Sequence, residues 1–178
     1  MNKHYNEEIE NKIKNLISQM TLEEKVWQMG MIPSSLFIDD EGRFSKEKAD
    51  KAFNGYSIGG FQDLRFGPER NIELIREIQD YIINNTKPGI PAIVVGETLH
   101  GYLSPDATIF PQVIGLGSTW NTELVKEVAE AGAKEARSVG TNLSNSPDLD
   151  LARDPRWGRV EESFGEDPFL VSKMGLST

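Results

Sequence analysis

Between positions 149 and 168 the chain reads LDLARDPRWGRVEESFGEDP, which sets Asp150, Arg153, Asp154, Arg156, Arg159, Glu161, Glu162, Glu166 and Asp167 around Trp157, with prolines at 155 and 168. Guanidiniums crowded among carboxylates suit two jobs. In one, Arg153, Arg156 and Arg159 pair with nearby carboxylates and hold a long connection in place, with Trp157 filling the gap beneath. In the other, a guanidinium fork held rigid by carboxylates donates to sugar hydroxyls while the aromatic ring offers an apolar face. The two are compatible, because carboxylate neighbours are what preorganise a ligand-facing Arg.

A second chemically rich stretch, Glu97-Thr98-Leu99-His100-Gly101, directly follows the apolar run Ala92–Val95. It reads either as a plain strand-end turn or as a rim where Glu97 accepts hydrogen bonds from substrate hydroxyls, which an ionised acceptor does more strongly than a neutral one. Glu-x-x-His builds di-iron sites when it recurs on facing helices. Here it occurs once, between glycines at 96 and 101 that disfavour a helix interior. His4 and His100 are the only histidines and cysteine is absent. A zinc site would therefore lean on carboxylates, and neither His-Glu-x-x-His nor a Gly-x-Ser-x-Gly elbow is present. No metal and no cofactor is expected.

The elements that must position these residues alternate. Residues 7–20 carry Ile9, Ile13, Leu16, Ile17 and Met20 at the spacing of one helical face. Thr21 and Glu24 form a capping-box signature opening a second helix, whose expected core face is Leu22, Val26 and Met29. From Ser57 onward, short apolar strands alternate with helices. Ser57–Phe61 reads as a strand, and Pro68 opens a helix through Ile72, Ile75, Ile78 and Ile82. Ala92–Val95 reads as a fully buried strand. Asn121 or Thr122 caps a helix carrying Leu124, Val125, Val128 and Ala136 that Gly140 ends; Thr141–Ser144 is the next strand, and Pro168 starts one more helix.

Such alternation implies a parallel sheet. A dinucleotide fold would need a third glycine after Gly115 and Gly117, and Trp120 stands there. The chemically rich segments instead follow strands, as the site loops of a (β/α)8 barrel do. Such barrels run to about 250 residues. The expectation is therefore α/β, with residues 1–178 forming one partial domain: about half of a barrel, preceded by amphipathic helices.

Net charge is −9 with basic residues scattered singly, which argues against nucleic acid and anionic membrane surfaces as partners. No apolar run approaches a membrane span, and MNKHYNEEIENKIKNL has no secretory core, so a cytoplasmic location is expected.

FPQVIGLGSTWN and SPDLDLARDPRWGRVEESFGEDP, preceded by GETLHG, closely resemble the N-terminal barrel domain of glycoside hydrolase family 3, the β-glucosidases and β-xylosidases. The resemblance runs from MTLEEKVWQM (Met20–Met29) to the last residues. It implies a retaining exo-glycosidase acting on β-linked oligosaccharides or glycosides, with two catalytic carboxylates about 5 to 5.5 Å apart. It also implies that Glu97 binds hydroxyls of the sugar in the cleavage subsite, and that Arg159 binds the same sugar. Arg153 and Arg156 are expected to pair structurally.

The family's Lys-His sugar-binding pair, nucleophilic Asp and acid/base Glu have no counterpart among these residues, so no catalytic residue is assigned. Glu in place of the Asp of many glucosidases leaves β-xylosidase open. The other alternative is a noncatalytic sugar-binding module that complements a separate remainder of the barrel. A half barrel with an unpaired strand edge is also expected to self-associate or to be marginally stable.

Overall fold

Four short strands lie side by side in sequence order, every neighbouring pair parallel: β1 (Met31–Pro33), β2 (Gly60–Gln62), β3 (Ile93–Gly96) and β4 (Leu143–Ser144). A doubly wound sheet reverses its strand order at a switch point, whereas a barrel wall grows in one direction. This sheet grows in one direction. The computed structural model describes residues 6–178, so His4 lies outside the described residues. The helices are α1 (Glu7–Gln19), α2 (Leu22–Trp27), α3 (Lys46–Phe53), α4 (Pro68–Asn85), α5 (Val113–Gly117), α6 (Thr122–Ser138) and α7 (Pro168–Gly175).

Local chemistry explains most boundaries. The Thr21 hydroxyl accepts from the Glu24 amide at 3.2 Å while the Glu24 carboxylate accepts from the Thr21 amide at 2.8 Å, completing the capping box of α2. Asn121 caps α6 by accepting from the Leu124 amide at 3.1 Å, and Asp167 caps α7 by accepting from the Leu170 amide at 2.7 Å. Pro68 and Pro168 occupy first-turn positions, where a missing N–H costs nothing. Gly140 lies just past α6 at φ +93°, a left-handed conformation that a Cβ would strain.

Register decides which face is core. Ile32, Phe61 and Val94 align across β1, β2 and β3. Phe61 and Val94 pack with Leu74, Ile78 and Ile82 of α4 and with Phe37 and Phe53. Side chains alternate along a strand, so the next row, Met31, Gly60 and Ile93, looks the other way. That face is open, with Ile93 45% exposed. Ala92–Val95 was expected to be buried throughout; only the helix-facing side and Val95 are. A second core joins Val113 and Leu116 of α5, Val125 and Val128 of α6, Val171 and Met174 of α7, and Phe164.

Two further expectations are corrected. Leu22, Val26 and Met29 are not a core face: all three are exposed, Met29 at 86%. The helix is held instead by Trp27, stacked on Tyr56 at 5.6 Å, and by Gln28, whose amide donates to the Ser57 carbonyl at 2.8 Å. That anchoring turns the apolar trio outward. The helix expected at 7–20 forms, yet Ile9, Ile13, Leu16 and Ile17 remain exposed. β1 and α3 had no counterpart in the sequence reading. Met-Ile-Pro is too short for a period of two to show.

Candidate functional site

Parallel strands place all their carboxyl ends on one edge, and the chemically rich residues gather there. Asp63 and Arg65 follow β2 and pair at 3.1 Å. Glu97 follows β3, two positions beyond Val95 and four beyond Ile93, so alternation carries it toward the open face. It lines a cleft with Gln62, Asp63, Arg65 and Val95.

Neighbouring loops hold Glu97 in place. Its Oε1 accepts from the Asn145 side-chain amide at 3.3 Å, and its carbonyl accepts from the Leu103 amide at 3.0 Å. The Asn145 backbone amide donates to the Gly96 carbonyl at 3.1 Å, and the Thr98 amide donates to Ser146 Oγ at 3.2 Å. The loop after β3 is thus sewn to the loop after β4.

His100 serves this frame. It is buried, and its Nδ1 donates to the Phe110 carbonyl at 2.9 Å. Gly101 has φ +106°, and a Cβ there would lie 2.1 Å from the Thr108 carbonyl oxygen. Glycine lets the FPQ segment fold back over the strand end. Gly117, half of the spoiled dinucleotide pattern, has a packing role: a Cβ would lie 2.3 Å from the Phe164 carbonyl oxygen. It brings α5 against the charged loop.

The charged loop is closed on itself. Ser163, fully buried, donates to the Asp150 carbonyl at 2.6 Å, and the Ala152 amide donates to the Gly165 carbonyl at 3.0 Å. Phe164 anchors the closed loop in the second core. Within it, Arg156 grips Asp154 with Nη2 at 2.6 Å and Nε at 2.9 Å, which draws the Asp154 carboxyl below the usual carboxylate range. The pair is exposed and screened by solvent, so it orders the loop locally more than it stabilises the fold. Structural pairing therefore holds for Arg156 but is corrected for Arg153, which makes no ion pair or side-chain hydrogen bond among the described residues.

Arg159 directs Nε and Nη2 at one oxygen of Glu162, at 3.0 and 2.5 Å, and places Nη2 3.7 Å from Asp148 Oδ2. The Glu162 hydrogen bond and charge, with Asp148 and Asp150 adding smaller attractions, hold the guanidinium above the ordinary arginine range. Both expected sugar-facing residues border the segment after β4. Glu97 is one hydrogen bond from Asn145, and Arg159 is one ion-pair contact from Asp148. Asn145 and Asp148 are three residues apart, a span of at most about 11 Å, so both contacts fall on one loop. The sequence reading did not single out Asn145 and Asp148, which contact the two expected residues. The available signal was their place just past a barrel strand's carboxyl end, where site residues collect.

A parallel β/α sheet of unreversed order, with chemically rich loops gathered on its carboxyl edge, defines a barrel-type β/α scaffold. The sequence profile of the Glycosyl hydrolase family 3 N terminal domain matches residues 21–178, and the chain belongs to that family. A beta-xylosidase of Formosa agariphila is 37% identical over 161 residues, covering 86% of this chain and 22% of that protein. The periplasmic beta-glucosidase of Salmonella typhimurium is 32% identical over 163 residues, covering 92% of this chain and 19% of that protein. Among solved structures, a b-glucosidase of Erythrobacter marinus superposes with TM-score 0.80 at 36% identity, covering 92% of this chain and 22% of that one. The beta-glucosidase of Listeria innocua in complex with glucose gives TM-score 0.74 at 32% identity, covering 94% and 23%. The chain thus spans about 22% of the curated relatives' length.

Proposed function

We propose that this chain supplies sugar-gripping loops of a β-glycosidase site, with Glu97 and Arg159 holding one pyranose, while the nucleophile and the acid/base belong to segments outside these residues. The observation that supports the reading is that both side chains contact the loop after β4, Glu97 through Asn145 and Arg159 through Asp148. A sugar presents adjacent hydroxyls that both donate and accept. A carboxylate and a guanidinium on one rim would meet both demands, and charged partners make the stronger hydrogen bonds.

The reaction proposed for the whole protein is retaining hydrolysis of a terminal β-O-glycosidic bond. Relatives named as β-glucosidases and β-xylosidases support the class, and a relative solved with laminaribiose supports a β-glucoside ligand. Glucoside is preferred, with xyloside as the second reading on the strength of Glu at position 97. The cytoplasmic placement belongs to this proposal as well, and recovery from a periplasmic or secreted fraction would end it.

The test is turnover of aryl β-glucoside and aryl β-xyloside by this chain alone and by the longest in-frame polypeptide containing it. Hydrolysis by the longer polypeptide only is the expected result. Turnover by the 178-residue chain would refute the assignment of catalysis elsewhere.

A further inference from the structure

Among the described residues, one buried side-chain oxygen has no hydrogen-bond partner: Asp148 Oδ2. The Asp148 side chain is 7% exposed, and its other oxygen accepts from the Asp150 amide at 2.9 Å. A buried carboxylate oxygen without a donor is costly, and structures tolerate one mainly where something else is gained. The group facing Oδ2 is Arg159 Nη2, at 3.7 Å. That distance is within electrostatic range and too long for a hydrogen bond. The same Nη2 is bonded to Glu162, whose side chain is more exposed. One guanidinium edge is thus contested by two carboxylates, one fixed in the frame and one nearer solvent.

We propose that Asp148 is the positioning residue for Arg159: its buried carboxylate fixes the Nε/Nη2 edge of the guanidinium against the loop. Glu162 alone cannot define the direction, because both donors converge on its single Oε2 and leave the fork free to pivot about that atom. A second carboxylate within electrostatic range, set in a backbone turn just past β4, restrains the pivot. The consequence for sugar binding rests on the proposed function; the positioning itself does not.

The test follows the Arg159 side-chain Nε–H by nitrogen NMR in the whole chain without ligand, in wild type, Asp148→Asn and Glu162→Gln. Asn keeps the shape and can still accept from the Asp150 amide, so a merely structural Asp148 would leave Arg159 unmoved. Positioning by charge gives at least a threefold rise in Nε–H exchange with water in Asp148→Asn, at a melting temperature close to wild type. An exchange rate and shift unchanged in Asp148→Asn would overturn the proposal. Should Asp148→Asn not fold, Glu162→Gln decides. With Asp148 positioning the arginine, its Nε–H remains protected within about threefold; exchange as fast as in a free arginine assigns the whole restraint to Glu162 and overturns the idea. A methyl β-glucoside titration adds a separate arm. Weakened binding in Asp148→Asn extends the positioning role to the sugar, whereas absent binding in wild type defeats the proposed function and leaves the positioning result standing.

Discussion

The carboxylate of Glu97, just past β3, accepts a hydrogen bond from the side-chain amide of Asn145, just past β4, at 3.3 Å. Two loops 48 residues apart in sequence thereby share one polar contact at the mouth of the sheet. Glu97→Gln keeps the shape and removes the charge. Hydrogen bonds to a charged acceptor contribute about 1.5 to 3 kcal/mol, so binding of methyl β-glucoside should weaken at least about tenfold, read by calorimetry, with the melting temperature little changed.

Glycine at 117 keeps the charged loop seated. Gly117→Ala would drive a Cβ to 2.3 Å from the Phe164 carbonyl oxygen, and backbone cannot yield as a side-chain tip can. Overpacking of this kind costs about 1 to 3 kcal/mol. Denaturant unfolding should show that loss, and proteolysis should cut first within 149–167.

His100→Ala strips the donor from the partly buried contact to the Phe110 carbonyl. A hydrogen bond of this kind contributes about 0.5 to 1.5 kcal/mol. The expected outcome is reduced stability, with faster amide exchange around residues 108–112. Unchanged exchange there would remove the tether from the account.

Alkaline pH tests the first core. Tyr81 donates to Asp50, and burial first, then that hydrogen bond, pushes its hydroxyl from 10.0 up to about 12. Between those values the folded chain keeps a proton that the unfolded chain has lost. Stability from this group is therefore fully present below pH 10 and is lost as pH rises through 12, by at most about 3 kcal/mol. Tyr81→Phe should flatten that decline in thermal melts.

The open faces predict association. Ile9, Ile13, Leu16 and Ile17 of α1, Leu22 and Val26 of α2, and Ile93 on the sheet are all exposed. Size-exclusion chromatography should show the isolated chain eluting larger than its 19.9 kDa monomer, and Val26→Glu with Ile13→Lys should shift it toward monomer. A clean, cooperative monomer in wild type would contradict this.

What could be read from sequence was whatever repeats or caps. Ile78 and Ile82 of α4, Val125 and Val128 of α6 and the Thr21 capping box carry local signals strong enough to survive folding. β1 has three residues and no period, and α3 buries only Ala49 and Phe53, so neither announces itself. The outward turn of α2 depends on Trp27 meeting Tyr56, a contact that no local pattern encodes. The sites divide similarly. Glu97 and Arg159 stand in recognisable motifs, whereas the parts of Asn145 and Asp148 emerge only when parallel strands bring separate loops to one edge.

The central claim is that Glu97 and Arg159 grip one sugar together, and a double-mutant cycle on glycoside binding measures that most directly. Methyl β-glucoside affinity would be determined for wild type, Glu97→Gln, Arg159→Lys and the pair, in the longest in-frame polypeptide containing this chain. Contacts to one ligand couple, so the double variant should lose less than the sum of the single losses, with a coupling of about 0.5 kcal/mol or more. Strict additivity, or either single substitution without effect on affinity, would contradict a shared grip.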